Sequence, residues 1–380
     1  MPLATSLILV GCGTSGLSTS SASPTHASTS KPSAGQVLSL QTLRMATNLV
    51  GWAVDTDGVV LRTVDGGLHW SNVTPSRFQT YSLEPAAFLG EDEAWLVGPP
   101  EITGSLGGVS VAFHTRDGGR TWDEGGAVYQ MEPGLLQMLD SEHGWFTTTG
   151  QCTSQCTDQG MTISSTVDGG QHWQTVMKSD PLLPVPPGAV PPRCGKQGPA
   201  FENPTTGWVT ARCIGGKPFF FRTIDGGRTW TSQSLPPPPG LSASAFADCF
   251  CEIRAPTFIT PSVGALTINV TGADSVGRSF WYSTADAGRS WTPQRLPQTV
   301  PAILDLLSPE DAYDLQGGNL YRTLDGGTSW TRVSSDPVLA GATIDFVSID
   351  NGFALGSSMA RTSDGGRHWT PVTPQLASNR

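Results

Sequence analysis

Apolar and polar residues alternate in short stretches along most of this chain, and the stretches recur in a fixed order. The first kind alternates with a period of two, as in Val37-Leu-Ser-Leu-Gln-Thr-Leu, Ile303-Leu-Asp-Leu-Leu and Thr343-Ile-Asp-Phe-Val, which is the mark of a strand with one buried face. A glycine or acidic turn and an aromatic residue follow, as in Gly51-Trp52-Ala-Val, Glu93-Ala-Trp95, Gly144-Trp145-Phe, Gly207-Trp208-Val, Asp311-Ala-Tyr313 and Gly352-Phe353-Ala-Leu. One repeat carries only the degenerate Val263-Gly-Ala265-Leu. A third strand-like run, such as Phe219-Phe-Phe-Arg-Thr, leads into Asp-Gly-Gly, and a Trp opens a fourth. Asp-Gly-Gly is turn chemistry, because Asp bonds backbone two residues on and glycine accepts positive φ. Each repeat thus predicts four strands, A to D, with a tight turn between C and D.

The C-to-D turn has one spelling, Thr-x-Asp-x-Gly-x-x-Trp, and it occurs seven times. The pairs are Asp65 and Trp70, Asp117 and Trp122, Asp168 and Trp173, Asp225 and Trp230, Asp286 and Trp291, Asp325 and Trp330, and Asp364 and Trp369. Identical aspartates on seven units point in seven directions, so a turn-capping role is expected of them rather than one shared site. Four-stranded units repeated at this period are blades of a β-propeller. The expected fold is therefore all-β, a single seven-bladed propeller of four-stranded antiparallel blades over residues 36–380. Strand A of the first repeat and strand D of the last both lie in their own repeats, so no exchange of an outer strand is expected at closure.

This turn resembles the Asp-box of the BNR repeat, and the resemblance covers nearly the whole chain after the linker. Among Asp-box propellers, the chain looks most like those of the photosystem II assembly and stability factor type. That resemblance implies binding of protein partners rather than catalysis. Sialidases also carry Asp-boxes and would imply a glycosidase. Their arginine cluster and Arg-Ile-Pro signature have only Leu43-Arg44-Met45 as a counterpart here, and Arg62, Arg222, Arg322 and Arg361 belong to the repeat.

Charge and composition narrow the function. The formal net charge is −10 and lysine occurs four times, which leaves no basic stripe for nucleic acid. No cofactor motif has its structural context: Gly11-x-Gly13-x-x-Gly16 lacks a strand before it. Residues 1–12 read as a lipoprotein signal, with Leu9-Val10-Gly11-Cys12 resembling a lipobox and Cys12 as the lipidated residue, although no Lys or Arg precedes the apolar run. Residues 13–35 are a Ser/Thr-rich linker. The expected place is the outer face of a bacterial cytoplasmic membrane or the cell envelope, with membrane contact through the lipid alone.

Six further cysteines, an even number in an exported chain, read as disulfides. Cys194 and Cys213 flank a hairpin turn at Asn203-Pro204 and are expected to pair. The partners of Cys152, Cys156, Cys249 and Cys251 stay open. A Cys249–Cys251 bridge is disfavoured because residues two apart in a strand match disulfide geometry poorly. Zinc at Cys152-x-x-x-Cys156 or Cys249-x-Cys251 lacks a histidine at a familiar spacing, so no metal is expected.

Propellers place their chemistry where the A strands begin. Aligned positions nominate Gln41, Arg44, Gln137, Gln197 and Arg254 for binding. Glu84, Glu252, Asp305 and Asp345 are the carboxylates available to a glycosidase, since paired acids serve as general acid and base. The leading expectation is a monomeric binding module for an envelope protein or glycan, recognised by Pro-rich loops 178–193 and 232–248 at the end opposite the Asp-boxes. Glycoside hydrolysis and a pure scaffold role are the alternatives.

Overall fold

A computed structural model describes residues 34–76, 78, 86–98, 109–129, 134–150, 158–272, 275–296 and 303–378. Cys12, Glu84, Cys152 and Cys156 lie outside the described residues, as do residues 1–33.

Strands are the dominant elements of the described chain, beside one short helix at Ala243–Ala247 and a 3-10 turn at Pro337–Leu339. Repeat one runs Leu40–Met45, Gly51–Asp55, Val60–Thr63 and His69–Asn72 as strands A to D. Repeat two runs Ala86–Leu89, Glu93–Gly98, Val109–Thr115 and Asp123–Tyr129. Repeat three runs Gly134–Met138, Gly144–Thr149, Met161–Thr166 and Gln174–Ser179. Repeat six runs Ile303–Leu306, Ala312–Gln316, Asn319–Thr323 and Thr331–Ser334. Repeat seven runs Thr343–Phe346, Gly352–Leu355, Met359–Thr362 and Thr370–Val372. Repeats two, three, six and seven each form a four-stranded antiparallel sheet in the order A-B-C-D.

Repeats four and five share one nine-stranded sheet. Repeat four contributes Gly195–Phe201, Gly207–Ile214, Phe220–Thr223 and Thr231–Ser232. In repeat five strand A is broken into Phe250–Ile253 and Thr257–Phe258, followed by Gly264–Thr271, Gly277–Thr284 and Thr292–Arg295. The junction is strand B of repeat four, whose far end pairs with Phe250–Ile253 and sets Cys213 opposite Cys251.

Closure differs from the sequence expectation. Gln375–Leu376 adds to repeat one as a fifth strand, parallel to its strand D, with Gln375 opposite His69 and Leu376 opposite Trp70. Its other side is held by residues 35–38, through Gly35 N–H to Leu376 O at 2.9 Å and Leu376 N–H to Gln36 O at 2.8 Å. Thr373-Pro-Gln-Leu-Ala is too short and polar to read as a strand alone. It becomes one because the edge of strand D offers unpaired backbone and Leu376 joins the core around Trp70 and Met359.

The Asp-boxes are self-contained turns, as expected. In the first, the Thr63 hydroxyl donates to Asp65 Oδ1 at 3.0 Å and accepts the Gly67 N–H at 3.0 Å. Asp65 Oδ1 also accepts the His69 N–H at 2.9 Å, and Oδ2 lies 2.7 Å from His69 Nδ1. The other six aspartates bind Thr121, His172, Thr229, Ser290, Ser329 and His368 in the same two ways.

Aromatic residues hold each repeat to the next. Trp52, Trp145, Trp208 and Tyr313 of the B strands stack on Phe88, Phe201, Phe258 and Phe346 of the following A strands. Three B-strand aromatics donate onward: Trp95 Nε1 to Gly169 O, Trp145 Nε1 to Gly226 O and the Tyr313 hydroxyl to Gly365 O, at 3.0–3.2 Å. Each acceptor is the first glycine of the neighbour's Asp-box. Burial of a flat ring with its donor satisfied is what an indole or phenol contributes best.

Candidate functional site

Three regions hold the chemistry of the described chain: the A strands, the end carrying the cysteines, and a groove beside the last Asp-boxes.

On the A strands, Arg44, Gln137, Asp305 and Asp345 are equivalent, each opposite the aromatic of its B strand. Three of them reach across to the next repeat. Asp305 Oδ2 accepts the Phe346 N–H, and Asp345 Oδ2 accepts the Met45 N–H, both at 2.5 Å. The Gln137 amide exchanges two hydrogen bonds with the backbone of Phe201, at 2.8 and 2.9 Å. Arg44 pairs with Asp345 at 2.9 Å. Burial pushes the Asp305 carboxyl up to about 6, opposed by the Phe346 N–H and reinforced by the Asp345 charge. Burial also raises Asp345, and the Arg44 guanidinium opposes it. Two of the four carboxylates nominated for acid–base work, Asp305 and Asp345, thus each carry an inter-sheet hydrogen bond.

The other nominated residues are scattered. Gln197 donates to Glu252 at 3.0 Å. Arg254 lies in repeat five beside a cavity of about 170 Å³ that Thr267 and Leu304 also line. Gln41 is exposed on strand A of repeat one.

At the cysteine end, Cys194 and Cys213 form the expected disulfide, with Cα atoms 4.8 Å apart. Cys249 and Cys251 are also bonded to each other, against expectation. Cys249 precedes the strand, just after the helix ends at Asp248. The two Cα atoms are 5.3 Å apart, inside the range a disulfide spans and closer than the roughly 6.6 Å of a straight strand. Lys196 Nζ donates to the carbonyls of Gln159, Arg193 and Cys194 and lies over the Phe219 ring at 4.8 Å. Burial brings its pKa down to about 7. The Pro-rich loops are partly core: Val190, Leu235 and Phe246 are buried, and Gly188 O accepts the Trp230 N–H at 2.7 Å.

Sequence reasoning missed the groove. It has a volume of about 440 Å³ and lies between repeats six and seven at their Asp-box end. Arg322, Arg332, Arg367 and His368 line it together with Leu324 and Val333, and no carboxylate does. Arg322 is tied to Asp311 at 3.1 Å and stacks on Tyr313, and Arg367 donates to Asp364 O. Leu324 is 62% exposed. Arg332, Arg367 and His368 occupy variable positions of the repeat, and only the assembled sheets bring them together with Arg322. Among the described residues no group of His, Cys, Asp and Glu is arranged to hold a metal ion.

Asp-box turns between neighbouring strands of antiparallel sheets, with aromatic residues keying sheet to sheet, make the chain similar to BNR-type propellers. Within that class the family described as photosynthesis system II assembly factor YCF48 matches residues 36–181. A solved structure of YCF48 bound to D1 peptide is 18% identical, covers 90% of this chain and 93% of its own, and has a TM-score of 0.50. YCF48 from Cyanidioschyzon merolae is 19% identical over 88% of this chain and 95% of its own, with a TM-score of 0.49. The GH74 xyloglucanase from Xanthomonas campestris is 13% identical over 90% of this chain, with a TM-score of 0.56, and this chain spans 54% of it. No curated protein matches the sequence. At these identities the likeness is one of fold.

Proposed function

We propose that the protein is a seven-bladed β-propeller, exported and lipid-anchored through Cys12, that binds a protein partner at the cell envelope. Residues 1–12 are the signal, 13–35 the linker and 36–380 the propeller. The observation that carries the reading is the groove between repeats six and seven. In a chain of net charge −10, three guanidiniums and an imidazole line it without a carboxylate. A protein of the same fold, YCF48, has been solved with a bound peptide, which supports a polypeptide as the partner. Affinity capture from the native envelope, comparing wild type with the Arg332→Glu/Arg367→Glu pair, tests it. A partner retained equally by both would sink the reading. Labelling with a palmitate analogue, set against Cys12→Ala, tests the anchor.

Glycoside hydrolysis remains as a second reading because the Asp305 carboxyl is held near 6, a useful value for a general acid. It predicts turnover of an aryl-glycoside that Asp305→Asn abolishes while the fold persists.

A further inference from the structure

Thr331–Ser334 is the outermost strand of repeat six, and among the described residues no backbone group pairs with its outer edge. Arg332 and Val333 of this strand also line the basic groove. Two other repeats show what such an edge does in this fold. In repeat one the equivalent edge is filled by Gln375–Leu376, where the Gln375 N–H donates to Leu68 O at 3.0 Å and the Ala377 N–H to Trp70 O at 2.8 Å. In repeat four the Trp230 N–H is taken by Gly188 O. Leu68 and Trp70 correspond through the Asp-box to Thr328 and Trp330 of repeat six.

We infer that the outer edge of repeat six, from Thr328 to Arg332, receives an extended acidic segment of a partner protein as an added β-strand. The inference rests on the binding role proposed above and specifies its mode. Backbone pairing supplies affinity in strand addition, and the side chains flanking the edge supply selectivity. Arg332 and Arg367 would face alternate acidic residues of the incoming strand, and Leu324 offers an apolar contact beside them. Open edges are ordinarily blunted by charge or covered. Here the charged side chains that line the neighbouring groove are all basic, and the groove has a volume of about 440 Å³.

The probe is a short acetylated peptide of alternating Glu and Val, titrated in physiological salt and followed by tryptophan fluorescence and calorimetry. Three controls accompany it: the same peptide with Lys for Glu, the same peptide with alternate amides N-methylated, and the Arg332→Glu protein, whose folding is checked by circular dichroism. The acidic peptide is expected to bind the wild type and to lose about ten-fold or more in affinity to Arg332→Glu, to the Lys version and to N-methylation. Equal binding of the N-methylated peptide would leave a site for charge alone and overturn strand addition. Equal binding of the Lys peptide, or no binding of the acidic one, would also overturn it. Loss of the envelope partner in the Arg332→Glu/Arg367→Glu protein would still stand in those cases, so the two ideas fail separately.

Discussion

Asp345 accepts the backbone N–H of Met45, a residue 300 positions earlier in the chain. The contact joins the A strand of the last repeat to that of the first, and Asp305 to Phe346 repeats it one sheet back. A carboxylate in this setting satisfies a buried donor. Asp345→Ala is expected to cost about 1–3 kcal/mol by leaving that N–H unpaired. Asp345→Asn, whose amide oxygen can still accept it, should cost less than half as much in urea unfolding. Equal costs would show that the hydrogen bond to Met45 contributes nothing.

Asp314 gives stability a pH dependence of unusual sign. It is fully buried beside Gln316, whose amide donates to it, and burial pushes its carboxyl up to about 8. The folded state therefore favours the neutral acid. Its contribution is complete below the ordinary value of 3.8 and is lost as pH rises through about 8. Asp314→Asn should gain about 2 kcal/mol at alkaline pH by removing a buried charge and gain nothing near pH 4. Thermal melts across that range check both halves.

The Asp-boxes respond in the opposite direction. Hydrogen bonds from the side chain and backbone of the residue four positions on bring Asp117 and Asp286 down to about 2. Asp364 falls to about 2 through the same two bonds from His368. Their contribution is present above the ordinary carboxylate value and fades as pH falls through about 2. Acid unfolding should therefore lag behind the titration of free carboxylates, and the Asp286→Asn variant should unfold at a higher pH than the wild type.

The fifth box breaks the pattern at one backbone position. Where the others have glycine after the aspartate, Ala287 stands at φ 58°. A side chain in that region is strained, so Ala287→Gly should stabilise the fold by about 0.5–1 kcal/mol. A loss on this substitution, measured by urea midpoint, would show the strain to be absent.

How much could be read in advance followed the distance between partners. Asp225 bonds within its own turn, to Thr223 and Thr229, so spacing alone revealed it. The Cys194–Cys213 hairpin was legible for a similar reason, because the turn between the two residues fixes their register. Asp305 and Asp345 looked like chemistry because the N–H groups they accept, those of Phe346 and Met45, belong to other repeats. The Cys249–Cys251 bond needs a backbone more contracted than a straight strand, with its Cα atoms 5.3 Å apart, which spacing does not describe. Arg332 and Arg367 could not be paired in sequence at all, since each belongs to a different sheet and only packing places them on one groove.

The strand at Gln375–Leu376 carries a consequence for how the molecule is made. Repeat one is among the earliest folded parts to be synthesised, yet its outer edge is completed by residues translated after all seven Asp-boxes. Until then Trp70 lacks the cover that Leu376 provides. A chain stalled or clipped before Gln375 would carry all seven Asp-boxes and still leave the outer edge of its first sheet open.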